Sequence, residues 1–129
     1  MTTTFIPYGA PCSSACIYYQ SLNLGTELLG RARPYFNGDP CFDANSVLRP
    51  GVCNTTDRRA NLGYVDFNSY YSIEITSRAH FLARHEAGHI FGMNGAFNCV
   101  DVTVMNETGC GYQYTRLQAH DIGHLNAWY

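Results

Sequence analysis

The chain of 129 residues contains no lysine, and only 14% of its residues are charged. All eight basic residues are arginine, and the formal net charge is −2. Because the charge is nearly balanced and no basic run is present, we expect no nucleic-acid partner. The sequence also lacks a run of apolar residues long enough to span a bilayer, so we expect no membrane partner.

Histidine is absent from the first 79 residues, and all five histidines follow that point. Two of them, His85 and His89, lie in a segment that Ser77 can cap and Gly92 can end. These signals predict a helix from Arg78 to Phe91. On such a helix the two histidines are one turn apart and share a face, so both imidazoles can bind one metal ion.

Glu86 follows the first histidine of this pair directly. A carboxylate in that position can take a proton from water at a zinc ion held by His85 and His89, which is the chemistry of a zinc hydrolase. The alternative is that the histidines only pack on the helix. In that case Glu86 would be a costly buried charge without a role among apolar neighbours. The sequence therefore favours Glu86 as a catalytic base.

The pattern His85-Glu86-x-x-His89-x-x-Gly92, followed by Met105 and a closing helix, resembles the zincin metallopeptidases. Within them it is most similar to the metzincins, and in particular to small secreted matrixin-like proteases. The resemblance covers residues 62–129. It implies an α+β fold in which a small twisted mixed sheet packs on an active-site helix, with a closing C-terminal helix. It also implies Zn²⁺ as cofactor, a peptide or protein as substrate and hydrolysis of peptide bonds by metal-activated water.

The sequence departs from the metzincins at the third zinc ligand. The family places a histidine or aspartate three residues after the glycine, and this chain has Gly95 there. We predict Asp101 as the replacement, because it lies on the loop that leaves the helix. The other candidates are Asn94, Glu107, His120 and His124. The alternative function is a metallopeptidase-like module for binding or self-assembly that lacks a complete zinc site.

Glu107 would be the distant carboxylate of a gluzincin-like site, but Gly109 and Cys110 argue against the helix which that arrangement uses. Met105 resembles the methionine of the metzincin turn below the metal, where the thioether is not a ligand. A methionine after β-branched residues also suits an ordinary core.

A second pair, His120 and His124, has the same spacing as the first, with Asp121 beside it. One interpretation of this pair is a second ion site, and the resemblance gives the alternative that the His-Asp pair is a structural feature of the closing helix. The second ion is the weaker interpretation, because no third ligand is near in sequence.

The six cysteines allow fifteen pairings, of which those that close short loops are favoured. We predict Cys99 with Cys110, Cys41 with Cys53, and Cys12 with Cys16. Reduced buried thiols are the alternative. Disulfides indicate an oxidising compartment, and we expect a secreted, extracellular protein. Since the first residues lack the basic and apolar regions of a signal peptide, we expect that a signal was removed or precedes this sequence.

The length predicts one domain over residues 1–129. Asn61 to Tyr71 alternates like a strand, and Arg31 to Phe36 predicts a strand with its proline on a sheet edge. The two arginines of this second strand point to one face. Residues 17–29 fit either a strand and turn or a short helix.

A capping box at residues 115–118 predicts a last helix that ends at Trp128. Its predicted buried side consists of Leu117, Ile122, Leu125 and Trp128.

Overall fold

The computed structural model of the chain describes residues 16–43, 53, 58–71, 77–95, 99–106, 110 and 116–128. Within these ranges the fold is α+β, with one four-stranded mixed sheet and two helices, as predicted. The elements are β1 (Cys16–Leu22), β2 (Gly30–Phe36), β3 (Asp39–Pro40), β4 (Leu62–Asn68), α1 (Ser77–Ile90) and α2 (Ala119–Trp128).

The strand β4 lies inside the sheet, whose order is β1-β4-β2-β3. It pairs in parallel with β1 and antiparallel with β2. The predicted strand at residues 61–71 is thus confirmed for its central seven residues. The alternative left open for residues 17–29 is decided, because β1 is a strand that ends before the turn at Gly25.

The prediction that Pro34 lies on an edge strand is wrong, since β2 has a neighbour on each side. Pro34 faces Gly63 of β4, but its carbonyl oxygen accepts a hydrogen bond of 2.9 Å from the Cys41 amide on the other side. The nitrogen of Pro34 therefore also points away from β4. Because β3 pairs only with Tyr35 and Phe36, the missing N–H of Pro34 removes no ladder bond to either neighbour.

Asp66 of β4 collects the charges of the sheet face that points away from α1. Its carboxylate is fully buried and accepts hydrogen bonds from Arg31 Nε at 2.7 Å and from Arg33 Nε at 2.7 Å. Gln20 of β1 adds a bond of 2.6 Å. The two arginines share one face, as predicted, and both are bound to Asp66. Three adjacent strands are joined at this single carboxylate.

Helix α1 packs across β2 and β4 on the opposite face. Ile90 lies with Val65 and Ala32 in one buried cluster, and Phe81 on the same helix is 0% exposed. The alternation along β4 explains this division, because successive side chains of a strand point to opposite faces. The core therefore fixes which face of α1 is turned inward, and it includes the side that carries His85, which is also buried.

Two predicted disulfides are present, Cys41–Cys53 and Cys99–Cys110. Cys16 is also disulfide-bonded, and the prediction of Cys12 as its partner falls outside the described residues. Neither described helix combines the length and the apolar character that a membrane span requires.

The last helix begins later than predicted, and its buried side is different. Leu117 precedes α2 and is 39% exposed, and Ile122 is 46% exposed, whereas Leu125 is buried as predicted. The reason is Asp121, whose carboxylate accepts the Gln118 amide at 2.8 Å and so starts the helix at Ala119. Asp121 is itself fully buried, and this sets the rotation of the helix.

The Asp66 cluster yields a prediction for acid stability. Burial raises the pKa of Asp66, but the hydrogen bonds from Arg33, Arg31 and Gln20 outweigh it and hold the pKa below the ordinary value of 3.8. A lowered folded-state pKa means that the stabilisation is complete above the unfolded pKa and is lost as the pH falls through the folded pKa. Asp66→Asn should lower the free energy of unfolding at pH 7 by about 2–3 kcal/mol, somewhat less than for a fully buried pair because the arginines are partly exposed.

Urea unfolding from pH 7 to pH 2 measures both effects, and the variant should lose part of the acid-side slope. Asp39→Asn is the matched control, because Asp39 is 73% exposed and lies 3.7 Å from Arg58. It should change stability by less than about 0.5 kcal/mol. Equal effects of the two substitutions would contradict the central role of Asp66.

Candidate metal centre

His85 and His89 face each other on α1, one turn apart. Their Nε2 atoms are 3.2 Å apart, and their rings are perpendicular, with an interplanar angle of 89°. His85 is 5% exposed and His89 is partly buried. The helix predicted from Ser77 and Gly92 is thus confirmed at Ser77–Ile90, and it brings the two predicted ligands together.

The other nitrogen of each ring is bound to a backbone carbonyl. His85 Nδ1 lies 3.1 Å from the Val104 oxygen, and His89 Nδ1 lies 2.9 Å from the Met93 oxygen. A carbonyl oxygen only accepts, so each Nδ1 is the donor and the proton of each neutral ring resides there. Both Nε2 atoms then carry lone pairs. The contact between the Nε2 atoms is therefore not a hydrogen bond between two neutral rings.

Two facing lone pairs at 3.2 Å repel each other unless a cation lies between or beside them. Two nitrogens bound to one zinc ion at about 2.0–2.1 Å with a tetrahedral angle are about 3.3–3.4 Å apart. The observed separation fits that value. Burial, together with the neighbouring His85, lowers the pKa of His89 from 6.5 to about 4, so His89 is neutral at pH 7 and its lone pair is available.

The turn after α1 places the carbonyl that holds His89. Gly92 has φ 84°, in the left-handed region that favours glycine. Its amide bonds to the His89 oxygen at 3.0 Å, and the Met93 amide bonds to the Gly88 oxygen at 2.9 Å. This pair of bonds is a Schellman motif. Gly92 thus ends the helix, as predicted, and directs the Met93 carbonyl back to His89.

The segment at residues 103–105 lies against the helix on the other side of the pair. Val104 and Met105 are 0% and 3% exposed, and the Met105 sulfur packs onto Gly88, where even a Cβ atom would overlap it. Met105 is therefore next to the turn that joins His85 and His89. The prediction of a methionine packed below the histidines fits this position, and Met105 is also part of a buried core cluster with Val104 and Leu125.

Asp121 of α2 holds this segment in place. One carboxylate oxygen accepts the Thr103 hydroxyl, and the other accepts the Val104 amide at 3.1 Å. The Thr103 hydroxyl oxygen also accepts the Met105 amide at 3.0 Å. A continuous path of contacts thus joins Asp121, the Val104 peptide units and His85 Nδ1.

This role of Asp121 was not predicted from the sequence, in which Asp121 was interpreted only together with His120 and His124. The available signal was its position three residues after Gln118, where an acidic side chain reaches back to a helix start. A residue in that position does not add a ligand to a metal at His120 and His124. The carboxylate of Asp121 is committed to Gln118, Thr103 and Val104.

Glu86 is 7% exposed and lies on the same turn as His85. A carboxylate so far removed from water is costly unless it is bound or has a function. The predicted base is thus buried, on the helical turn that also carries His85.

Asp101 lies on an exposed part of the same loop as Val104. It borders a cavity of about 230 Å³ together with Met93, Asn94, Met105, His120 and His124, among others. Four of the five candidates for the third ligand thus line one cavity, whose lining includes neither His85 nor His89. Glu107 lies outside the described residues. Across the described ranges, no three side chains of His, Cys, Asp or Glu form a group that holds a metal. Asp101 as third ligand, and a second ion at His120 and His124, stay predictions.

The path from Asp121 to His85 can be tested by removing the charge of Asp121. Asp121→Asn replaces an acceptor oxygen by an amide donor that faces other donors, so it should cost about 2–3 kcal/mol in the free energy of unfolding. Zinc affinity should fall about 10–100-fold, as for other losses in the surroundings of a metal ligand.

Denaturant unfolding and zinc titration against a chromophoric chelator measure the two effects of Asp121→Asn. Asn126→Ala is the matched control, because Asn126 is exposed on the same helix. It should change neither quantity. An Asp121→Asn protein with wild-type zinc affinity would show that the contacts from Asp121 through Val104 to His85 do not support metal binding.

A comparison with family models, curated proteins and solved structures found no match to this chain. The resemblance to the metzincins therefore stays a prediction from the sequence pattern around His85 and His89.

Proposed function

We propose that this protein is a secreted zinc-dependent endopeptidase. The observation that carries the proposal is the pair of Nε2 atoms 3.2 Å apart, with each Nδ1 fixed by a backbone carbonyl. This separation supports one zinc ion as the ligand of the pair, and Glu86 follows His85 on the same helical turn. The two disulfides support an oxidising, extracellular location.

His85 and His89 would hold the ion through their Nε2 atoms. A zinc ion, when bound there, supplies a Lewis acid that polarises a peptide carbonyl and lowers the pKa of water from about 15.7 towards 7. The Glu86 carboxylate takes a proton from the attacking water and passes it to the leaving nitrogen of the peptide. The Val104 and Met93 carbonyls keep both imidazole rings oriented through the reaction.

The roles of ligand and base are separable by substitution. His85→Ala should abolish metal binding and peptidase activity together, because it removes a ligand. Glu86→Gln should keep the metal but lower turnover about 10²–10⁴-fold, since an amide cannot take the proton. Elemental analysis gives the zinc content, and a quenched fluorescent peptide library gives the activity.

His80→Ala is the matched control for these substitutions, because His80 is exposed on the same helix. It should leave both metal and activity unchanged. Full turnover in Glu86→Gln, or loss of its zinc, would show that the assignment of roles is wrong.

A second function is favoured by one specific observation, namely Gly95 at the position of the third ligand. It is a metallopeptidase-like module that binds or assembles without a complete zinc site. The wild-type zinc content distinguishes the two, because the peptidase requires about one zinc ion per chain.

Asp101 is our candidate for the third ligand, because it lies on the loop that already contacts His85 through Val104. Asp101→Ala should then lower zinc affinity strongly, since a site with two histidines alone binds weakly. Gly95→His should leave zinc affinity unchanged if a residue of this loop supplies the third ligand in place of position 95. Competition with a chelator measures both variants. Wild-type affinity in Asp101→Ala would eliminate Asp101, and a large gain in Gly95→His would show an under-ligated metal at position 95.

A further inference from the structure

The disulfides Cys41–Cys53 and Cys99–Cys110 differ in their access to solvent. Cys41 and Cys53 are each 2% exposed. Cys99 is exposed, and Cys110 is partly exposed. A thiol reductant must reach a sulfur atom to attack it, so of these two disulfides Cys99–Cys110 should open before Cys41–Cys53.

The loop closed by the Cys99–Cys110 disulfide carries the residues that position the histidine pair, His85 and His89. Thr103, Val104 and Met105 all lie inside it, and all are buried. Val104 supplies the carbonyl that fixes His85, at 3.1 Å from Nδ1. Opening Cys99–Cys110 would therefore release an end of the segment that supplies the carbonyl bound to His85, whereas Cys41–Cys53 closes a different loop, between β3 and β4.

The backbone at Cys99 is held in an unfavourable conformation. Its φ is 56°, in the left-handed region that residues with a Cβ rarely adopt. With the covalent bond open, Cys99 is released to return to an ordinary φ. The start of the 99–106 loop would then move, and the Val104 peptide units follow from it within a few residues.

We propose that Cys99–Cys110 is a thiol-exchange site whose reduction by a dithiol lowers the zinc affinity of His85 and His89. The inference rests on the proposed function for the metal itself. A thiolate of the dithiol attacks the Cys99 sulfur, forms a mixed disulfide and releases the Cys110 thiolate, which takes a proton from water. The second thiol then displaces Cys99. The protein gains two electrons, and the dithiol becomes a cyclic disulfide.

The test uses the full chain and graded concentrations of dithiothreitol, followed by iodoacetamide to trap open thiols and by gel filtration. Peptide mass spectrometry identifies the alkylated cysteines, circular dichroism reports the fold, and chelator competition gives the zinc affinity. We expect Cys99 and Cys110 to be alkylated while Cys41 and Cys53 stay paired. The trapped protein should remain folded and bind zinc about 10–100-fold more weakly.

A pair of double variants gives a matched control. Cys99→Ser with Cys110→Ser should reproduce the weaker zinc binding, and Cys41→Ser with Cys53→Ser should not. If the first variant does not fold, the trapped wild-type protein still decides. Opening of Cys41–Cys53 first, or unchanged zinc affinity after selective opening of Cys99–Cys110, would overturn the inference alone. A wild-type protein that binds zinc no better than His85→Ala would overturn the proposed function, whatever the order of reduction.

Discussion

The buried carboxylate of Asp121 is the interaction on which the candidate metal centre depends. A fully buried charge is tolerated only if several donors bind it, and three donors from two segments meet that need here. Because these donors include Thr103 and Val104, the requirement of one side chain fixes the path of the whole loop. The Val104 oxygen of this loop in turn accepts a hydrogen bond from His85. The burial of Asp121 on α2 therefore influences the orientation of the His85 ring on α1.

Asp66 plays the same part in the sheet. It is also fully buried, and its partners come from β1 and β2 on either side. Each of the two carboxylates thus joins elements that are distant in sequence, and neither is close to the other along the chain. The hydrophobic contacts between α1 and the sheet stabilise the fold but are not directional. The hydrogen bonds to the two carboxylates require particular donors and so specify which segments come together.

The local parts of the fold were predictable because their signals are local. Ser77 and Gly92 delimited α1, the alternation at residues 62–68 marked β4, and short spacing identified two disulfides. The wrong predictions concern residues whose position or exposure is determined by a partner distant in sequence. Pro34 is tolerated within the sheet because β3 is short and pairs only with Tyr35 and Phe36, so no ladder partner lies opposite the nitrogen of Pro34. Ile122 is exposed because Asp121, bound by a loop some seventeen residues earlier, takes the inner position. The spacing of the histidines predicted their shared face, and Gly92 predicted the turn that carries the Met93 carbonyl. The Val104 carbonyl was not predictable in this way, because the position of its segment depends on Asp121, seventeen residues later in the chain.

In the proposed site the first two ligands and the third are held differently, and this makes Gly95 compatible with an ordered histidine pair. His85 and His89 are positioned by helix periodicity and by the Val104 and Met93 carbonyls, neither of which belongs to residue 95. Their Nε2 atoms lie 3.2 Å apart in this arrangement. A third ligand would come from a loop, so its place along the chain could differ from the family pattern without disturbing the pair. The orientation of the two rings through these carbonyls therefore does not depend on which side chain completes the proposed site.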